Sequence, residues 1–268
     1  MFVYLLVALP VIVQSPVFAT IAIRPAQSAD PRNERLRVLP NGDLMASGVP
    51  VIWLLREACD VPVNPSPRLS PLPDWTLRER YDIEAKAPAN ALPPGLQDSE
   101  VRSRIRQMIR ELLAARFGLV MRVENKTMPV YALTVASGGP KLRKAAVAGK
   151  DCAFDSVPEG CHSFVGGLGH PLKANAIDMD DLVHYIGNWT DLPVVNRTAL
   201  SGLFTVDTEG WFPMRLPPPP PNATPNANPF AGLPTIFTVL GKLGLELNRE
   251  EAILPVYTAE RIERPAVN

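Results

Sequence analysis

The groups that could do chemistry in this chain are few: three histidines, three cysteines and one short run of acids. The histidines are His162, His170 and His184, and Asp178, Asp180 and Asp181 stand just ahead of the last of them. On a helix, Asp180 or Asp181 would lie one turn before His184, close enough to orient its ring as the carboxylate of a catalytic dyad does. The same acids suit a simpler task, because a carboxylate at a helix N-terminus accepts from unpaired backbone N–H groups and complements the helix dipole. Cys161 directly precedes His162, an awkward arrangement for a nucleophile and its base, since adjacent side chains point apart. No oxyanion-binding signature accompanies either set. A hydrolase using His162, His170, Asp180, Asp181 or His184 is therefore one expectation, and it requires these side chains to converge in one pocket.

Cys152 and Cys161 enclose the short segment AFDSVPEG. In an oxidising compartment a disulfide between them would remove roughly 2 to 3 kcal/mol of loop entropy from the unfolded chain. Cys152, Cys161, His162 and His170 also have the atom types of a metal site, without the CxxC pair common in such sites, and free thiols are the third alternative. Cys59 falls at the end of a helix predicted to be buried and is expected to act as a small apolar residue. Gly166-Gly167-Leu168-Gly169 lacks both the Lys-Ser/Thr of a phosphate loop and a dinucleotide fingerprint, so it reads as a flexible strand entry. These motifs assign no catalytic residue, metal or cofactor.

The elements that must position these groups are read from periodicity. Met108, Ile109, Leu112, Leu113 and Phe117 fall at helical spacing, which leaves Arg104, Arg106, Arg110 and Glu111 free to face solvent. Gly118 supplies a stop, since the residue just past a helix end often needs positive φ. Leu119, Met121 and Val123 then alternate with Val120, Arg122 and Glu124 as in a strand, Asn125-Lys126-Thr127 reads as a turn, and residues 130–135 read as a second strand. Residues 17–24 read as a first strand and 33–39 as a loop or edge strand, and Asn41-Gly42 is a turn signal. Residues 51–60 read as a short buried helix, 64–73 with four prolines as irregular chain, 80–85 as a strand, and 198–202 as a turn before a strand at 203–207.

A version of the stretch 111–135 returns near the C-terminus as FTVLGKLGLELNREEAILPVYTAERI. Phe117-Gly118-Leu119 answers Leu243-Gly244-Leu245, and Pro129-Val130-Tyr131 answers Pro255-Val256-Tyr257, both displaced by 126 residues. Residues 43–46 with the helix after them echo 171–174 with theirs, and 80–84 echo 203–207. The expected fold is α+β: two related halves packed in one compact body, each running strand, helix, strand, helix, strand, strand, with antiparallel strand pairs as the core. Residues 1–15 are expected to form a signal peptide or short leader, 16–142 the first half and 143–268 the second. A Pro-rich insertion at 213–229 should be extended and exposed, as a loop or a docking segment.

With 27 Lys+Arg against 27 Asp+Glu, no net field points to nucleic acid or an anionic membrane. Thirty prolines imply many rigid loops and short elements. The run MFVYLLVALPVIV is too short to span a bilayer and long enough for a signal-peptide core, although no basic residue precedes it. Export to the periplasm or the exterior is the expectation, with anchoring through an uncleaved N-terminus as the alternative and the only membrane contact foreseen.

Several stretches together carry a resemblance: VFATIAIRP at 17–25, PDW at 73–75, RYDIEAKA at 80–87, LLAARF at 112–117, PVYAL at 129–133, GPKL at 139–142, PVVNRTALSG at 193–202 and the final IERP at 262–265. In this ordered set the chain resembles the soil-associated protein family first described in Acidobacteria, whose domain has no assigned function. The resemblance covers nearly everything after the leader. It implies an exported bacterial protein, and because related domains can follow membrane metallopeptidases of the antibiotic-sensor type, it implies sensing or binding outside the cytoplasm. It carries over no catalytic residue. Members usually have Asp where Asn196 stands and an Ile-Asp-His run where Thr258-Ala259-Glu260 stands, a departure that favours a structural reading of those motifs. The expectation is thus a non-catalytic module of the cell envelope that binds an unidentified ligand or protein, with the histidine/carboxylate hydrolase as its alternative.

Overall fold

Asn41 and Gly42 close a turn: Gly42 has φ of 88° and its N–H donates to the Leu39 carbonyl, while the Asn41 side chain accepts from Asp43 N–H. The strands on either side open the first half. The computed structural model describes residues 16–27, 34–62, 66–96, 98–147, 161–167, 169–212, 214, 230 and 232–266. The expected leader at 1–15, Cys152 and nearly all of the insertion at 213–229 lie outside them.

The first half runs β1 (Thr20–Pro25), β2 (Arg35–Val38), β3 (Leu44–Pro50), α1 (Val51–Cys59), α2 (Trp75–Arg78), β4 (Arg80–Lys86) and α3 (Asp98–Phe117). Its sheet has the order β1-β4-β3-β2, antiparallel throughout. β4 buries every second side chain, Tyr81, Ile83 and Ala85, as its sequence alternation dictates. α1 and α3 pack on each other and bury Leu54, Leu55, Met108, Ile109, Leu112, Leu113 and Phe117 in the same core. Phe117 meets Tyr81 edge to face, with ring centroids 5.8 Å apart.

The chain continues with β5 (Val120–Val135), β6 (Arg143–Lys144), β7 (Ser163–Val165), β8 (Leu172–Ile177), α4 (Met179–Ile186), β9 (Val194–Asn196), β10 (Phe204–Thr208), α5 (Ile236–Lys242) and β11 (Leu245–Arg261). The second sheet has the order β6-β10-β8-β7, again antiparallel. Matched along the chain, β6, β7, β8 and β10 stand where β1, β2, β3 and β4 stand, and α1 and α4 each follow the matched strand. The mixed α+β class is as expected. The shared order does not establish common descent of the halves, since alternating strands and amphipathic helices resemble one another generically.

The turn expected at Asn125-Lys126-Thr127 is corrected. β5 and β11 are each one unbroken strand, paired antiparallel from end to end with a single register shift between Ala259 and Arg261, and with Asn125 opposite Pro255, Lys126 opposite Leu254 and Thr127 opposite Ile253. The reason is long-range: β11 supplies ladder partners to this polar stretch, so the chain need not turn back on itself to satisfy its backbone. The result is a ribbon about 50 Å long. Leu119 and Met121 at one end, with Tyr257 and Ala259, join the first core; Tyr131 and Leu133 at the other, with Leu245 and Leu247, join the second. Each half therefore completes its core with residues of both ribbon strands, β5 and β11, and β9 adds to the second end by pairing parallel with β5.

Candidate functional site

α1 is ended by Asp60, a non-glycine residue in the left-handed region with φ of 51°. The last carbonyls of a helix have no intrahelical donor, and the negative end of its dipole favours cations. Four arginines gather there, two of them on carbonyls of the helix end and its cap. Arg110 Nη1 donates to the Ala58 carbonyl at 2.5 Å, Arg68 Nη1 to the Asp60 carbonyl at 3.0 Å and Arg56 Nε to the Val61 carbonyl at 3.4 Å. Arg106 Nη2 donates to the Asp60 carboxylate at 2.7 Å.

From the second half, α4 points its N-terminus toward α3. Asp178 and Asp181 form a reciprocal capping box: Asp178 Oδ1 accepts from Asp181 N–H at 2.8 Å, and Asp181 Oδ2 accepts from Asp178 N–H at 2.9 Å. Arg102 of α3 spans both carboxylates, at 2.6 Å to Asp178 and 2.9 Å to Asp181. One side chain thus fastens the first half to the cap of the second. The end of α1 is tied to α4 and the turn after it as well: His184 Nδ1 meets Asp60 Oδ1 at 3.0 Å, and Arg56 Nη2 donates to Asn188 Oδ1 at 2.9 Å.

Between these bridges lies a cleft of about 820 Å³, lined from both halves and backed by Leu254, Pro255 and Tyr257 of β11. Its charged lining comprises Arg68, Arg102, Arg106 and Arg110 against Glu57, Asp60, Asp180 and Asp181. Burial alone would raise the Asp60 carboxyl, but His184, Arg106 and Arg68 outweigh it and hold the group at about 2. Burial likewise opposes ionisation of Asp178, and Arg102 overturns it to leave the carboxyl below its usual range. The His162 ring is only 8% exposed, which disfavours its charged form, yet its contact with Asp181 Oδ2 at 2.5 Å keeps its affinity for a proton above the ordinary value. Because a carboxylate only accepts, that contact places the proton on Nδ1.

Four of the sequence-predicted candidates, His162, Asp180, Asp181 and His184, line this one cleft; His170 is exposed and does not. The pairing within the set differs from a dyad along α4. His184 pairs with Asp60, Asp181 with His162, and Asp180 accepts from the Asn196 amide at 2.8 Å. Asn196 Oδ1 in turn accepts from Thr198 N–H and its hydroxyl, a turn-forming role. Cys59 is a free, buried cysteine on the cleft wall, and burial pushes its thiol up to about 11, so it acts as the expected small apolar residue. The bridge expected between Cys152 and Cys161 involves a residue outside the described set. His162, Asp178 and Asp181 offer ligand atoms within 4.8 Å of one another, but a cation there would compete with the Arg102 guanidinium that already bridges both carboxylates.

Sequence reasoning missed Asp60, Arg68 and Arg102, and expected solvent around Arg106 and Arg110. A signal existed: Arg102, Arg106 and Arg110 recur every four residues, which puts them on one face of α3. Nothing local indicates that this face looks at the other half.

A family model described as a protein of unknown function (DUF3738) matches residues 53–262, more than half of the chain and every residue named in the cleft. No curated protein and no solved structure matches the chain.

Proposed function

The chain belongs to the DUF3738 family of unknown function, and on that premise we propose that it is a non-catalytic binding module of the cell envelope whose small-molecule ligand sits in the cleft between the halves. One observation carries the reading: about 820 Å³ of space is walled by both halves, whose mutual orientation is fixed by polar bridges and by the shared ribbon. Ligand pockets favour interfaces between packed units and occupy several hundred Å³. Export rests on the apolar N-terminal run and the closely spaced Cys152 and Cys161. The narrower kinship with the soil-associated family rests on the ordered motifs.

The test is co-purification. The protein isolated from its own cells and then denatured releases a small molecule, detected by mass spectrometry, whereas Ser103→Trp, which fills the cleft wall, releases none. Equal release from both forms, or none from either, contradicts the reading.

A hydrolase is the second reading, favoured by the convergence of two histidine–carboxylate pairs, His162 with Asp181 and His184 with Asp60, on one cleft. Both pairs also explain themselves structurally, the first at a helix cap and the second as a bridge between halves. Turnover of any ester or amide that is abolished by His162→Ala or His184→Ala in the folded protein would establish this reading over the first.

A further inference from the structure

Resting on the cleft as the ligand site, we infer that its ligand is an organic monoanion whose carboxylate is gripped by Arg68 and Arg110 beside the C-terminal end of α1. Of the four guanidiniums on the cleft, Arg102 is matched by Asp178 and Asp181, and Arg106 by Asp60 and Glu57. Arg68 and Arg110 have no ion-pair partner among the described residues. Arg68 donates to the carbonyls of Asp60 and Pro255, and Arg110 to the Ala58 carbonyl and the Gln107 side chain. Asp60 Oδ1 is already occupied by both Arg106 and His184.

Each guanidinium has five N–H donors, so capping α1 leaves capacity unused; Nη2 of Arg68 has no hydrogen-bond acceptor among the described residues. The cleft lining balances four arginines against four acids, so what draws an anion to Arg68 and Arg110 is local: two half-buried guanidiniums with N–H donors to spare and no carboxylate of the described residues on them, whose planar group can meet a carboxylate in bidentate fashion. Glu57 and Asp60 on the same wall disfavour a doubly charged phosphate. The body of the ligand is apolar: Arg68 lies over the Tyr257 ring at 6.0 Å, and Pro67, Leu254 and Pro255 line the cleft with that ring.

Calorimetric titration of the full chain with benzoate, benzamide and inorganic phosphate tests this. Benzoate is expected to bind about tenfold or more tightly than benzamide or phosphate, and Arg68→Gln and Arg110→Gln each to weaken benzoate about tenfold while leaving benzamide unchanged. Arg68→Lys keeps the charge and a donor for α1 but loses the fork; should the glutamine forms fail to fold, this variant is expected to weaken benzoate severalfold and spare benzamide. Equal binding of benzoate and benzamide overturns the anion inference and leaves the cleft reading standing. Phosphate binding more tightly than benzoate overturns the monocarboxylate class, and no heat from benzoate at millimolar concentration overturns the inference outright. Failure of the cleft reading itself shows separately, as the absence of any small molecule retained by the native protein.

Discussion

Asp60 and His184 meet across the cleft, ring Nδ1 to carboxylate Oδ1 at 3.0 Å, so that the residue ending α1 in one half holds α4 of the other. The same carboxylate accepts from Arg106. Asp60→Asn tolerates the left-handed conformation but loses the charge, and is expected to cost about 1–3 kcal/mol. Asp60→Ala should cost about 1–2 kcal/mol more, because alanine is strained at φ of 51°. Denaturant unfolding reads the difference. Equal stability of the two variants would mean that the backbone conformation at 60 is not what the structure shows.

The titrating groups of the cleft predict a stability maximum in mildly acidic solution. Asp60 is held at about 2, below the ordinary value of about 3.9, so its contribution is present above about pH 4 and is lost as pH falls toward 2. Its side chain is 47% exposed, so solvent screening keeps that acid-side slope modest. His162 is raised, so its contribution is complete below about pH 6.5 and is lost as pH rises through its folded value. Melting temperature measured against pH should therefore decline on both flanks, with His162→Gln flattening the alkaline one and Asp60→Asn the acid one. A His162→Gln curve that keeps the full alkaline slope would show that this ring does not set it.

Gly118 and Gly244 end the matched helices α3 and α5, and both have positive φ, 57° and 71°. Their surroundings differ. A Cβ at 118 would meet the flexible Glu263 side chain at 3.3 Å, whereas one at 244 would strike the Gly139 carbonyl oxygen at 2.1 Å. Gly118→Ala is expected to cost about 1–2 kcal/mol from backbone strain alone, and Gly244→Ala clearly more. The same melting series measures both, and a milder Gly244→Ala would contradict the close approach of chain there.

This pair also shows what the sequence discloses and what it withholds. Gly118 was legible because helix stops are local: an apolar stripe ends and a glycine follows. Period-two and helical patterning likewise marked β4, α1 and α3, and the acids before His184 announced a helix cap. The ribbon was not legible, because Asn125-Lys126-Thr127 has turn composition and only the distant β11 makes it strand. Asp60 was invisible for a similar reason. Its role depends on Arg106 and His184, 46 and 124 positions away, and no local pattern encodes such pairings.

Cys59 should resist alkylation in the native protein, since it is buried and its thiol is pushed up to about 11. Mass-spectrometric thiol counting on protein from its native cell fraction is expected to find one slow thiol and an oxidised Cys152–Cys161 pair, with an N-terminus near Pro16. Three reactive thiols and a retained Met1 would remove both the export proposal and the burial of Cys59.

The central claim, a ligand seated between the halves, is tested most directly by hydrogen–deuterium exchange of the full chain, with and without the small molecule retained from its own cells. Protection is predicted at the end of α1, along α3 from Arg102 to Arg110 and around Leu254 to Tyr257, the segments that wall the cleft from either side. Protection confined to other surfaces, or no change on release of the bound molecule, would contradict it.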